Sequence, residues 1–276
     1  MANALFIVWR ESVEAILVIA ILLAWIRTRQ DPRITPAHLW TGVAGGLLLA
    51  GALAAAMVMA QSQLAGQALE AFQAGILLVA AGLITHMVLW MRHQGRHLKR
   101  NLEDGLKQAA VTATGGTSAA LLAAIAVGRE GSETVLFLYG LAMEQSGQVL
   151  SQLLGGAMAG FGLALATAWL IQRGARWLPS RLFFRATEIV LLLLAAALLV
   201  GGVERLINME WLPPLVEPLW DSSGLLDEGT LVGGIAGAFA GYRAHPSLTL
   251  LLAWLAYWAA VGWLTRAPKA ARPAHG

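Results

Sequence analysis

Two short charged motifs stand inside long apolar segments of this 276-residue chain. The first is Arg10-Glu11-Ser12-Val13-Glu14, and the second is Arg129-Glu130-Gly131-Ser132-Glu133. On a helix, residues three or four positions apart share one face, so the two glutamates of each motif are neighbours and each arginine reaches the second glutamate. Two such motifs that face each other would bring four carboxylates and two guanidinium groups together, with a net charge of about −2.

Carboxylate oxygens are the ligands that hard cations prefer, so such a cage suits Fe3+, Mn2+, Mg2+ or Ca2+ and also accepts Fe2+. The arginines either lock the carboxylate rotamers or release them when a metal arrives. The alternative is that both motifs are only ion pairs that hold two helices together, but this leaves one excess glutamate in each motif unexplained. The pattern therefore predicts a cation site. Its predicted metal ligands are Glu11, Glu14, Glu130 and Glu133, and its supporting residues are Arg10 and Arg129.

The cost of these charges indicates that they have partners. A charged side chain at the centre of a membrane helix costs about 2.5–3.5 kcal/mol on insertion scales, so three of them cost roughly 7.5–10 kcal/mol. The Leu, Ile, Val and Phe residues between Ala4 and Ile26 contribute only about 4–8 kcal/mol of favourable insertion free energy. The first helix is therefore marginal in a bilayer on its own, and its charges need a second helix.

Composition places the chain among membrane proteins. It is 58% hydrophobic and only 13% charged, and it contains segments of about 20 apolar residues, the length that spans a bilayer. The seven predicted spans are Ala4–Ile26, Leu39–Ala60, Ala71–Met91, Thr117–Leu141, Val149–Ile171, Phe184–Leu206 and Ser247–Leu264. A Gly-rich apolar piece, Thr230–Tyr242, is too short to span and predicts a re-entrant or interfacial segment.

Composition also excludes several functions. The chain has no Cys, which excludes thiolate metal ligation, disulfides and thiol catalysis. It has no ATP-binding motif, and its formal net charge of +3 lies in loops, where it reports orientation rather than nucleic-acid binding. No permanently bound cofactor, no enzymatic activity and no nucleic-acid partner are expected.

The loop charges predict the orientation. Lys and Arg residues follow the first, third, fifth and seventh spans, whereas the alternate loops 61–67, 142–148 and 208–228 contain none. The positive-inside rule then puts the N-terminus outside and the C-terminus in the cytoplasm. We expect a multi-pass protein of the cytoplasmic (inner) membrane, whose basic stretch from Arg92 to Lys107 contacts anionic lipid.

The two motifs indicate an internal duplication, because each begins a unit of three helices. The second helix of each unit carries a glycine pair, Gly45-Gly46 and Gly155-Gly156, which favours close helix packing. Since three spans is an odd number, the second unit is inverted relative to the first, a common plan of secondary transporters. The predicted architecture is all-α, with a 3+3 inverted repeat plus one helix in a single transmembrane domain. Its parts are repeat one (1–92), a cytoplasmic loop (92–116), repeat two (117–207), an external loop with the short apolar segment (208–246), the seventh helix (247–265) and a disordered tail (266–276).

Four further ionisable residues lie in or beside the spans. Glu70 and Glu188 stand near the start of the third helix of each unit, and each is either interfacial or at one mouth of a pathway. His86 lies within the third span, where a lone histidine is more typical of hydrogen-bonded structure than of a ligand, and Glu204 lies near the end of the sixth. Aromatic anchors at the membrane interface are predicted at Trp90, Trp169, Trp177, Trp211 and Trp220.

With its doubled motif and seven predicted spans, the sequence resembles a known family. Arg-Glu-x-x-Glu in helices one and four of a seven-helix chain is similar to the oxidase-dependent iron permeases, which comprise the fungal high-affinity iron permease and bacterial iron-uptake relatives, with lead-uptake permeases as a side branch. The similarity covers nearly the whole chain. Besides the doubled motif it includes Leu219–Glu228, Gly241-Tyr242-Arg243, Pro246-Ser247 and Phe183–Thr187.

The resemblance implies iron import across the cytoplasmic membrane, with the four motif glutamates as iron ligands and the two motif arginines as their structural partners. It also implies an external acidic motif that receives iron, and the nearest matches here are Asp221 and the pair Asp227-Glu228. Such permeases work beside an iron-oxidising or iron-delivering protein, a multicopper oxidase in fungi or periplasmic cupredoxin-like and haem-peroxidase proteins in bacteria.

Other functions remain open from the residues alone. One is a transporter of another divalent metal such as lead or manganese. Another is an intramembrane enzyme with carboxylate-bound iron, although di-iron bundles usually add Glu-x-x-His on two helices, a spacing that this chain lacks. The third is a non-transporting receptor or assembly subunit. Carboxylates accept both Fe2+ and Fe3+, so the oxidation state of the iron also stays open.

Overall fold

The computed structural model describes residues 2–29, 34–94, 115–144, 150–173 and 180–266, and these residues form helices and loops without any strand. The predicted all-α class is confirmed. The helices, numbered in chain order, are α1 (Ala2–Arg29), α2 (Pro36–Gln63), α3 (Gly66–Gln94), α4 (Gly115–Glu144), α5 (Leu150–Gln172), α6 (Ser180–Asn208), α7 (Leu231–Ala240) and α8 (Leu248–Arg266).

Five of these helices, α2, α3, α5, α6 and α8, are long and apolar enough to cross a membrane. Helices α1 and α4, of 28 and 30 residues, differ from them because each carries the three charges of one motif within its apolar segment. At 1.5 Å per residue both are longer than the hydrocarbon core of about 30 Å. The chain is therefore a multi-pass membrane protein.

Local sequence explains where two of the helices begin and end. Helix α2 starts at Pro36, whose fixed φ suits the first turn, and the backbone N–H of Thr35 donates to His38 Nδ1 at 3.2 Å. Helix α7 starts after Thr230, whose hydroxyl accepts from the Gly233 N–H at 3.1 Å. It ends at Gly241, whose φ of +70° favours glycine.

With ten residues, α7 is too short to span a bilayer, as predicted for the apolar piece Thr230–Tyr242. It packs on α6, and its last carbonyl groups are bound by other helices. The carbonyl of Ala238 accepts from the side chain of Asn3 at 3.1 Å, and that of Ala240 accepts from the Trp254 indole at 3.1 Å. These bonds tie α7 to both α1 and α8.

The three closest helix pairs are α2 with α4, α1 with α5, and α3 with α6. In the first pair, a Cβ on Gly46 would lie 2.7 Å from the Gly128 nitrogen and 2.8 Å from the Ala124 oxygen. The two backbones therefore touch, which is possible only because Gly46 has no side chain.

Helix α5 packs on α1 by the same kind of contact. A Cβ on Gly160 would lie 3.0 Å from the Trp9 nitrogen and would also overlap the Leu5 carbonyl oxygen. These two residues precede Gly128 and Ala124 by the same 119-residue spacing that separates the two motifs. By its contacts, the equivalent of Gly46 in the second unit is thus Gly160. This glycine lies one helical turn beyond the pair Gly155-Gly156, which the sequence analysis paired with Gly45-Gly46.

The contacts also give the relative directions of the helices. Along α2 and α4 the contact points advance together, from Gly42 beside Ala120 to Gln61, which accepts a hydrogen bond from Tyr139, so these helices are parallel. Along α3 and α6 they run oppositely, because Gln73 contacts Arg205 whereas Arg92 contacts Glu188. Parallel α2 and α4 with antiparallel α3 and α6 is the order that the predicted alternation of spans requires.

The largest buried cluster lies where α3, α4 and α6 meet, and its largest fully buried side chains include Phe137, Leu77, Ile84, Leu194 and Leu198. A second cluster joins the C-terminal part of α1 to the starts of α2 and α4. Apolar side chains of α2 and α5, such as Leu48 and Met158, are instead exposed, as expected of surfaces that face lipid.

Two predicted segments fall largely outside the described residues. Helix α3 continues to Gln94 and α4 begins at Gly115, so most of the predicted cytoplasmic loop 92–116 lies outside the described ranges. The predicted tail 266–276 is described only at its first residue, Arg266, which ends α8.

Replacing Gly46 with valine is expected to lower the stability of the protein by about 1–3 kcal/mol, the usual cost of overpacking. The added side chain would overlap the α4 backbone beside Gly128. Thermal unfolding in detergent measures the effect. Gly51→Val on the same helix is the matched control, because its Cβ would meet nothing within 4 Å, and an equal loss in both variants would contradict the packing argument.

Candidate metal centre

Three of the predicted ligands converge where α1 and α4 cross. One carboxylate oxygen from each of Glu11, Glu14 and Glu130 lies within 4.8 Å of the other two. Glu11 is 1% exposed and Glu130 is 8% exposed. Two carboxylates come from one turn of α1 and the third from α4, so neither helix alone holds the group.

The arginine of the first motif is buried among these carboxylates. The Arg10 side chain is 7% exposed, its Nη1 lies 2.6 Å from Glu11 Oε1, and its Nη2 forms an ion pair with Glu14. The same guanidinium also contacts the sulfur atoms of Met87 and Met91, one turn apart on α3. Arg10 is thus held from two sides, by its own helix and by α3.

The arginine of the second motif is much more open. The Arg129 side chain is 42% exposed, and its Nε donates to Glu133 Oε1 at 2.9 Å while lying 3.9 Å from Glu130 Oε1. Its guanidinium carbon lies 5.0 Å from the ring centroid of Trp90. The carboxylate of Glu133 is therefore engaged by Arg129, and in the described structure it is not among the three carboxylates whose oxygens lie within 4.8 Å of one another.

Several carboxylate oxygens of this centre lack hydrogen-bond donors. Within the described residues, Oε2 of Glu11, of Glu130 and of Glu133 is buried and has no hydrogen-bond partner. A buried acceptor without a donor is costly. A cation coordinated between the two helices would remove this cost, so the chemistry of the donor set fits a hard metal ion.

The last turns of α3 contribute contacts that were not predicted. Met87 and Met91 read as ordinary apolar residues of a span, and Trp90 was predicted to be an interface anchor. Met87 and Met91 contact Arg10, Trp90 stacks on Arg129, and the neighbouring Arg92 pairs with Glu188. Nothing in the local sequence indicates these partners, because they depend on how α3 packs against α1 and α4.

The other predicted pathway residues are placed differently. Glu188 pairs with Arg92, and its side chain is only 16% exposed. Glu204 forms an ion pair of 3.0 Å with Arg243. Glu70 is exposed near the start of α3, and His86 lies on an exposed face of the same helix. In the described structure none of these four belongs to the glutamate group at the helix crossing.

Three acidic residues between α6 and α8, which the sequence predicts to receive iron, organise the turns of this segment. Asp221 accepts from the backbone and hydroxyl of Ser223 at 2.9 and 2.6 Å and pairs with His245 at 3.0 Å. The hydrogen bonds from Ser223, together with the nearby His245, lower the pKa of Asp221. Glu228 accepts from the Ala244 N–H at 2.6 Å.

Asp227, the remaining residue of these three, accepts from the Gly229 N–H at 2.7 Å. Like Asp221 and Glu228, it is exposed. All three acidic side chains thus have partners within the loop, and in the described residues they are separate from the glutamates of α1 and α4.

Fold and site together define the class: a multi-pass membrane protein with a group of carboxylates, largely buried, between two of its helices. The Iron permease FTR1 family matches the chain over residues 1–267, and the chain belongs to this family. Its members are permeases, so iron transport is the function that the family carries.

Individual relatives match over almost the same extent. The chain is 28% identical to the ferrous iron permease EfeU of Escherichia coli O157:H7, covering 91% of this chain and 90% of that protein. It is 32% identical to an uncharacterized protein of Archaeoglobus fulgidus (95% and 93% covered) and 25% identical to the ferrous iron permease EfeU of Yersinia pestis (91% and 88%). No solved structure matches the chain.

Proposed function

We propose that this protein imports iron across the cytoplasmic membrane, and that the ion passes through the centre formed by Glu11, Glu14 and Glu130, with Glu133 as a further ligand. One observation carries the proposal: three carboxylates from two crossing helices, two of them buried and one half-buried, converge within 4.8 Å. Iron is the substrate, bound in transit, and the protein is a transporter rather than an enzyme. The ferrous iron permeases among its relatives support this choice of ion.

The relative helix directions support the proposed alternation of seven spans. The proposed orientation, with the N-terminus outside and the C-terminus in the cytoplasm, rests on the Lys and Arg residues of the loops. In the proposed repeat, α1 corresponds to α4 and α2 corresponds to α5. The contact between α1 and α5 is then equivalent to the contact between α4 and α2, as expected of a 3+3 repeat. The charged motifs of the two units then meet at the α1–α4 crossing, in the position where inverted-repeat transporters bind their substrates.

The charge of the centre favours entry of a cation. Four glutamates and two arginines leave a net charge of about −2. A membrane potential that is negative inside adds about 2.3 kcal/mol per charge per 100 mV to the inward driving force. A polyvalent ion is thus drawn inward without ATP hydrolysis.

On the external side, the loop that contains Asp221, Asp227 and Glu228 is the proposed receiving surface for iron, and an extracytoplasmic iron-oxidising or iron-delivering protein is its proposed partner. The loop is folded rather than open, because Ser222 N–H donates to the Ala244 carbonyl at 3.0 Å. A preformed loop offers a partner a surface of fixed shape.

Uptake of radioactive iron into proteoliposomes under an inside-negative potential tests the proposal. Iron is supplied separately as ascorbate-reduced Fe2+ and as Fe3+ citrate. We expect the wild-type protein to import at least one of them and Glu14→Gln to import neither, at equal reconstituted amounts. Wild-type protein that binds iron without moving it, or that moves Mn2+ or Pb2+ in preference, would overturn the assignment.

A further inference from the structure

The two motif arginines are equivalent in sequence but not in structure. Arg10 is 7% exposed and touches Glu11, Glu14 and the two sulfur atoms of α3. Arg129 is 42% exposed, and its contacts with carboxylates run through Nε. Arg10 cannot leave its carboxylates without breaking contacts with α1 and α3, and a buried charge without a partner is costly. Arg129 is enclosed less tightly, and one of its neighbours is the face of Trp90, which attracts a cation. Arg129 is therefore the arginine that is able to move.

The position of Arg129 decides whether Glu133 is available. Arg129 Nε occupies Glu133 Oε1 at 2.9 Å, whereas Oε2 of Glu133 is buried and has no hydrogen-bond partner among the described residues. Three other glutamates already converge on one point. Glu133 completes the set as a ligand with both oxygens only when its bond to Arg129 opens.

Trp90 gives the departing guanidinium a second place to bind. The guanidinium carbon of Arg129 already lies 5.0 Å from the centroid of this ring, within the distance at which the face of an aromatic ring attracts a cation. Trp90 belongs to α3, whose next residue, Met91, contacts Arg10. The ring is thus fixed beside the centre but is not part of its carboxylate group.

We propose that Arg129 is an internal cation that the metal displaces from Glu133, and that Trp90 is the positioning residue that receives it. The inference rests on the proposed function, since it describes how the same centre acquires its fourth carboxylate. While no metal is bound, Arg129 neutralises Glu133. When the metal binds, Arg129 stays on Trp90 and Glu133 turns to the ion. Arg10 remains fixed throughout.

The test compares two tryptophans that stack on arginines. Iron uptake by proteoliposomes is measured, with iron in the oxidation state that the wild type transports, for Trp90→Leu and Trp90→Phe. The matched control is Trp169→Leu, because Arg173 lies 4.0 Å over the Trp169 ring at the end of α5. We expect Trp90→Leu to raise KM about five- to tenfold with little change in the maximal rate, Trp90→Phe to raise it less, and Trp169→Leu to leave it unchanged.

A second comparison separates positioning from a merely structural role. In an Arg129→Gln background there is no cation to receive, so Trp90→Leu is expected to have no further effect on KM. An unchanged KM in Trp90→Leu, or the same increase with and without Arg129, overturns the inference and leaves the proposed function standing. Absence of uptake by the wild type instead overturns the proposed function itself.

Discussion

Replacing Glu130 with glutamine is expected to reduce iron uptake by at least about 100-fold. The substitution keeps the size of the side chain but removes the only carboxylate that α4 contributes to the group of three. Groups that merely orient a metal ligand already account for 10- to 100-fold in affinity, so the loss of a direct ligand has a larger effect. Initial rates of radioactive iron uptake into proteoliposomes measure it.

Glu70→Gln is the matched control for this substitution. Glu70 is exposed near the start of α3, and its loss is expected to leave the uptake rate within about twofold, because exposed charges away from a site contribute little. Equal losses in both variants would indicate a general electrostatic effect on uptake. Full activity of Glu130→Gln would show that iron takes another route.

Replacing Arg10 with glutamine is expected to destabilise the protein by about 3–5 kcal/mol, the usual cost of removing one partner from a buried ion pair. Arg10 is 7% exposed and compensates both Glu11 and Glu14. Without it, the buried carboxylate of Glu11 and the half-buried carboxylate of Glu14 have no cation of their own motif. Thermal unfolding in detergent at neutral pH measures the loss.

The equivalent substitution in the other motif provides the comparison. Arg129→Gln removes a side chain that is 42% exposed and makes fewer packed contacts than Arg10, so its effect on stability is expected to be smaller than that of Arg10→Gln. The comparison of the two variants is informative because both motifs have the Arg-Glu-x-x-Glu pattern. If Arg129→Gln were as destabilising as Arg10→Gln, the claim that burial makes Arg10 more important for stability would be contradicted.

Much of the architecture could be predicted from local sequence. A long apolar segment must form a helix in a bilayer, because only internal hydrogen bonding satisfies its backbone. The predicted segment Phe184–Leu206 accordingly lies within α6, and Thr230–Tyr242 proved to hold only the ten-residue α7. The correspondence of the glycines was harder to predict. Gly160 rather than Gly156 matches Gly46, because helix packing selects the glycine whose backbone meets the neighbouring helix.

For the centre, the motif spacing was sufficient to place Glu11 and Glu14 on one face of α1. The same spacing does not reveal that the Trp90 ring lies beside Arg129. A tryptophan near the end of a span carries the same sequence signal whether or not its ring also contacts an arginine. That contact depends on the helix that packs opposite it.

By itself, the sequence determined the class of the protein, the helices and the candidate ligands. Each of these follows from interactions within one segment: apolar length, helical periodicity and the cost of charge in a membrane. Only the tertiary structure decided that Glu130 joins Glu11 and Glu14, and that Arg10 is buried while Arg129 is open. The two motifs are alike along the chain, but α3 packs its methionines on one arginine and its tryptophan on the other. Burial is a property of those neighbours, and residues distant in sequence supply them.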